Sequence, residues 1–154
     1  MMTSDKIPEP GEGKRGEQGY LGYLLRQGSA AVRLTIKRAL QDLEVTQPQF
    51  LVMTMVNAYP GSSGADIARL TMLTPQTISL ILGNLERAGM LTRSVSPDHG
   101  RVHCMELTET GRARLLLCRE RVRAVDAQLR SLLTAEEEAI VRRWLVELAS
   151  QHLT

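Results

Sequence analysis

Aromatic side chains are nearly missing: the 154 residues hold one Trp, three Tyr and one Phe. A core without them must be built from Leu, Ile, Val, Met and Ala, as in a helical protein. Cysteine is scarce too. Cys104 and Cys118 stand alone, which excludes a disulfide framework. No run approaches the ~18 apolar residues of a membrane span. The opening stretch "MMTSDKIPEPGEGKRGEQG" has no apolar centre and does not read as a signal peptide. A cytoplasmic protein is expected. Enzyme signatures are absent as well: there is no G-x-S-x-G, no H-E-x-x-H and no phosphate-cradling glycine loop. No convergent catalytic group stands out, so neither an enzyme nor a cofactor is expected. Neither charge sign dominates: 19 Lys and Arg against 17 Asp and Glu leave a net charge of +2. That permits nucleic-acid binding without announcing it. Arginine carries most of the positive charge, and its fork suits phosphates and guanine edges.

What is present describes one domain of ordinary size, 43% hydrophobic and 23% charged. Residues 1–18 are rich in Gly, Pro, Glu and Lys and are expected to form a disordered tail. The single domain then covers 19–154. From Tyr20 to Leu43, apolar residues recur every three or four positions, which predicts an amphipathic helix. "FLVMTMVNAY", with Pro48 in its first turn, is apolar nearly all round and predicts a central buried helix. "PGSSG" ends it, and "ADIARLTML" follows as a short helix with Ile67, Leu70 and Leu73 inward. Thr74 as N-cap and Pro75 at the first helical position open the next helix, closed by Gly89. Its inward stripe is Ile78, Ile81, Leu82 and Leu85. "MLTRSV" and "VHCMEL" read as strands joined by "SPDHG". Thr108 caps a long helix to about Leu133, and Thr134 with Glu137 makes a capping box for the last one.

Short helix, tight turn, second helix and hairpin make the winged helix-turn-helix layout, in which the second helix enters the DNA major groove. The fold class expected is mainly α with a small β-hairpin wing. Thr74, Gln76, Thr77, Ser79, Leu80, Gly83, Asn84 and Arg87 face away from the inward stripe. Gln and Asn can pair with adenine, and Leu80 can meet a thymine methyl. Gly83 costs helix stability, which makes sense where a backbone must approach closely. A plain solvated face has the same pattern. Arg101, beside His99 and Asp98, falls near the hairpin tip, suited to a narrow minor groove. Arg93, at the hairpin base, is placed for a phosphate. The alternative is a surface Arg101 paired with Asp98.

The segment "TPQTISLILGNLERAGMLTRSVSPDHGRVHCMELTETGR" strongly resembles the MarR family of winged-helix regulators. The likeness rests on "LxxLERAGMLxR", the "D-x-G-R" wing tip and "LTETG", and it extends over about residues 20–152. One departure stands out: many members place the wing aspartate two residues before the arginine, where this chain has His99, with Asp98 one earlier. The resemblance implies a homodimer on a pseudo-palindromic operator, and repression relieved by a small molecule or an oxidant. It assigns about 46–108 to the DNA-binding part and about 19–43 and 109–153 to dimerisation.

Leu115, Cys118, Val122, Val125, Leu129 and Leu132 independently form a heptad-like seam on the long helix. The seam is expected to hold a dimer, with Leu115, Cys118, Val122, Val125 and Leu129 joined by Trp144 of the last helix; burial within one chain is the alternative. The last helix adds Ile140, Val141, Trp144, Leu145 and Leu148. Arg112, Arg114, Arg119, Arg121 and Arg123 read as a solvated face. Family analogy puts an effector pocket between the dimer helices and the winged part, with Tyr23, Arg26 and Arg33 as candidate lining. Arginine there suits an aromatic carboxylate. Thiol sensing through Cys104 or Cys118 is the rival switch, and a winged helix used for protein contacts the rival function. His99, His103, Cys104 and Asp98 lack the spacing of a structural zinc site, so no metal is expected.

Overall fold

The computed structural model describes residues 7–95 and 103–151. Six helices and a two-stranded antiparallel sheet follow in the order α1 (Leu21–Leu40), α2 (Gln47–Ala58), α3 (Gly64–Thr71), α4 (Pro75–Arg87), β1 (Leu91–Val95), β2 (His103–Leu107), α5 (Glu109–Arg130) and α6 (Ala135–Ser150). The first helix stops three residues earlier than its periodicity suggests, because Gln41–Leu43 tightens into a 3-10 turn. Among the described residues, no helix is long and apolar enough to cross a membrane.

Local chemistry sets the helix starts. Thr46, Ser63 and Thr134 each form a complete capping box with Gln49, Asp66 and Glu137. Thr74 and Thr108 accept from the backbone N–H groups of Thr77 and Gly111. Each cap satisfies donors that the first helical turn leaves unpaired.

The core lies where α2 crosses α3, α4, β2 and α5. Val52, Met53 and Val56 of α2 are buried there with Ile67 of α3, as the near-continuous apolar run predicts. The full inward stripe of α4, Ile78, Ile81, Leu82 and Leu85, joins them. Leu73 packs against this core, whereas Leu70 stays partly exposed.

The sheet pairs Leu91 with Leu107, Arg93 with Met105 and Val95 with His103. A third, very short contact extends it: the Met105 N–H donates to the Ser62 carbonyl at 3.0 Å, and Ser63 bridges to Cys104. The "PGSSG" segment therefore edges the wing as well as ending α2. One bridge is too short to leave an alternating pattern in sequence.

Two features go beyond the sequence pattern. Residues 8–16, within the stretch expected to form a disordered tail, close into a turn docked on α1. Arg15 donates through Nε to the Gln27 side-chain carbonyl (2.9 Å) and through Nη1 to the Pro8 carbonyl (2.7 Å), while Gln27 donates back to the Arg15 carbonyl (3.2 Å). Composition speaks of apolar burial and is blind to such polar anchoring. The long-helix seam also divides. Leu115 and Cys118, at 1% and 0% exposure, are packed into the core of their own chain, and Val125 is buried in the same single chain. Val122 packs partly against that core. α5 runs along α1 and over α2, so the first half of its apolar stripe has a partner at home.

Candidate nucleic-acid interface and effector cleft

Burying Ile78, Ile81, Leu82 and Leu85 turns the opposite face of α4 outward. Thr74, Gln76, Thr77, Ser79, Asn84 and Arg87 are all exposed, and Leu80 is 63% exposed. Gly83 is half-covered because the Arg87 guanidinium folds back over it. Arg87 donates to the Asn84 side-chain carbonyl, which holds both polar ends along one line of the helix. The Thr74 hydroxyl accepts from the Thr77 backbone N–H at 3.2 Å and donates to the Thr77 hydroxyl at 2.9 Å. That leaves the Thr77 hydroxyl proton free to point outward. Pro75 contributes no N–H, so the tip of α4 presents short polar side chains and the positive end of its dipole together.

The wing is anchored beside this helix. β1 starts from the buried Leu91, and Arg93 pairs with Glu86 of α4 at 3.0 Å. In the free protein this arginine is tied to a carboxylate, and a phosphate has to compete for it. His103 shares a strand face with the buried Met105 and Leu107 but is exposed at the far end of β2, and Cys104, on the opposite face, is half-buried. His99 and Arg101 lie outside the described residues, as does Asp98.

A cleft of about 690 Å³ opens where α1 meets α2, lined by Arg33, Leu34 and Lys37 of α1, Gln41 and Glu44 of the turn, and Val45–Pro48. Of the three effector candidates only Arg33 reaches it. Tyr23 sits two to three turns earlier on α1, near the docked N-terminal turn, with its hydroxyl 3.4 Å from the Gln27 side-chain carbonyl. Arg26 does not line the cleft either. Lys37, one turn after Arg33, is the cation that sequence reasoning missed. The i, i+4 spacing was the available signal.

Of the five α5 arginines expected to form a solvated face, three are anchored. Arg112 donates to the Leu107 carbonyl, Arg114 to the Leu43 carbonyl, and Arg121 to Asp42 and the Ala39 carbonyl. The Arg121 guanidinium holds the Asp42 carboxyl below the usual carboxylate range. Burial pushes the Cys118 thiol up, against the pull of Arg114 and Arg121. That is the reverse of what a sensing thiol requires.

α6 buries none of its residues in the single chain. Ile140, Val141, Trp144 and Leu145 are exposed, together with Leu129 and Leu132 at the end of α5 and Leu21 and Leu25 on α1.

A buried three-helix core, an outward polar recognition face and an adjoining two-stranded wing define a winged helix-turn-helix protein. Comparison with known proteins narrows the class. The MarR family model matches residues 41–102. The HTH-type transcriptional repressor Rv2887 of Mycobacterium tuberculosis is 38% identical over 130 residues, which is 84% of this chain and 94% of that protein. The structure of the M. tuberculosis MarR family protein Rv2887 in complex with DNA superposes with a TM-score of 0.71 at 35% identity, covering 86% of this chain and 99% of that one. Its complex with p-aminosalicylic acid gives 0.69 at 36%, covering 86% and 100%. The chain belongs to the MarR family: it is a DNA-binding transcription regulator and not an enzyme.

Proposed function

We propose that this protein is a homodimeric repressor that binds a pseudo-palindromic operator and releases it when an aromatic carboxylate enters the α1–α2 cleft. The observation that carries the reading is the recognition helix: Ile78, Ile81, Leu82 and Leu85 are buried on one side, and exposed polar residues flank Leu80 and Gly83 on the other. In this reading Gln76, Thr77, Ser79, Leu80, Gly83 and Asn84 meet base edges. Thr74, Arg87 and Arg93 serve the phosphates, and His99 and Arg101 the minor groove. The exposed apolar residues of α1, the end of α5 and α6 support the dimer, since a single chain leaves them in water. Leu129 and Trp144 are kept as dimer contacts, whereas Leu115 and Cys118 are not. A two-fold dimer sets its recognition helices one DNA turn apart, roughly 34–36 Å. Chromosomal DNA as partner implies a cytoplasmic location.

Arg33 and Lys37 above the apolar Leu34, Val45 and Pro48 fit a ligand with one carboxylate and one flat apolar body. The solved complexes of the M. tuberculosis protein with DNA and with p-aminosalicylic acid support both halves of the reading by relationship. Footprinting on DNA upstream of the protein's own gene is the test. Two protected half-sites one helical turn apart are expected, fading with added salicylate. A single half-site, or no protection at all, overturns the dimeric-operator reading.

A further inference from the structure

One turn of chain is gripped from one side and lines a cleft on the other. From the α5 side, Arg121 meets the Asp42 carboxylate through both terminal guanidinium nitrogens, each at 2.8 Å, and donates to the Ala39 carbonyl at 3.2 Å. Two turns earlier on α5, Arg114 donates to the Leu43 carbonyl. These contacts span 71–82 residues of sequence and converge on the last carbonyls of α1 and the 3-10 turn after it. From the other side, Gln41, Glu44, Val45 and Thr46 of the same segment line the 690 Å³ cleft with Arg33 and Lys37.

The segment is built as a hinge. Glu44 takes the left-handed conformation at φ 56°, a strained position for a side-chain-bearing residue and one of two such among the described residues. Val45 is buried directly after it, and Thr46 caps α2. α2 in turn supplies Val52, Met53 and Val56 to the core beneath the recognition helix. With Asp42 held to α5, a ligand that displaces residues 44–46 has to move α2. With Asp42 loose, the turn can yield on its own and α2 stays where it was.

We propose that Asp42 and Arg121 are positioning residues that couple occupancy of the α1–α2 cleft to the attitude of the winged unit. The inference rests on the effector reading above and adds the element that transmits it. Neither residue lines the cleft or belongs to α4, so the pair's role shows only in the coupling between the two sites.

Full-length wild type, Asp42→Ala, Arg121→Gln and Arg121→Lys are compared, with salicylate as the probe. Calorimetry gives salicylate affinity, and fluorescence anisotropy gives affinity for upstream DNA with and without saturating salicylate. In wild type, salicylate weakens DNA binding by about 5-fold or more, the ordinary range for coupled sites. Asp42→Ala and Arg121→Gln bring that ratio to within about twofold of one, while both separate affinities stay within about threefold of wild type. Arg121→Lys, which keeps the charge pair, retains most of the ratio. Variants that keep the full wild-type ratio overturn the clamp alone. Variants that lose salicylate affinity itself reduce Asp42 and Arg121 to scaffolding of the cleft and also overturn it. A wild type that binds DNA but ignores salicylate overturns the effector reading, and the clamp with it.

Discussion

Gly111 sits in the first turn of α5, and alanine there should destabilise the protein even though alanine is the better helix former. A Cβ built at Gly111 lies 2.0 Å from the Met90 carbonyl oxygen and 2.9 Å from its carbon. Ordinary contact begins at 3.4 Å, so the chain at Met90 has to retreat by 1.4 Å. It is poorly placed to do so. The Met90 carbonyl accepts from the Thr108 N–H at 3.1 Å, the Thr108 hydroxyl donates to the Gly89 carbonyl at 2.6 Å, and Leu91 beyond it is buried. Overpacking of this kind costs about 1–3 kcal/mol. A disrupted backbone hydrogen bond adds about 1 kcal/mol. The helix propensity regained is about 1 kcal/mol. The net loss, about 2 kcal/mol, corresponds to a Tm lower by roughly 4–8 °C for a chain of this size. Thermal unfolding followed by circular dichroism at fixed protein concentration measures it. Gly64→Ala is the control, because its Cβ meets only the Leu82 Cδ1 at 3.7 Å, and its Tm should not fall. A Gly111→Ala protein as stable as wild type, or more so, would refute the reasoning. Because Met90 leads directly into β1, the same change should also weaken DNA binding through the displaced wing.

Three further outcomes can be checked directly. In the native protein Cys104 should react with a thiol reagent at pH 8 well before Cys118, which is fully buried with its thiol pushed up. Equal rates would reopen thiol sensing. Leu132→Asp and Trp144→Asp should yield folded monomers by light scattering, because both side chains are exposed in the single chain at 80% and 38%; dimers that persist at micromolar concentration would contradict the interface. Asn84→Ala should cost about 1–3 kcal/mol on the preferred operator and narrow the gap to mismatched sites, whereas an equal loss on every sequence would reassign Asn84 to phosphate contact.

The sequence disclosed most where the physics is local. Thr74 with Pro75, Thr108, and the Thr134–Glu137 box all start helices where expected, because a cap acts within four residues. The α4 stripe followed from spacing alone, and with it the outward face. Long-range partnerships were not written in spacing. Leu115 and Cys118 have the same periodicity as Leu129 and Leu132. Only the path of α5 over α2 decides which pair is buried at home. Arg121 looked like surface charge because its Asp42 partner lies 79 residues away in sequence, and Arg114 because its acceptor is a backbone carbonyl, which no side-chain pattern reveals. The docked N-terminal turn was hidden for the same reason: Arg15 is held by two carbonyl groups, the Gln27 side chain and the Pro8 backbone. Arg33 was legible as a candidate, but the cleft that gives it a role, and Lys37 beside it, depend on how α1 meets α2.

The most direct test of the central claim is fluorescence anisotropy of the wild-type protein on DNA from its own upstream region, beside a scrambled duplex of equal length, across several salt concentrations. The account predicts tight binding to the first duplex and much weaker binding to the second, with log affinity falling linearly with log salt as counterions are released. Equal affinity for both duplexes, or no binding to either at low salt, would contradict it.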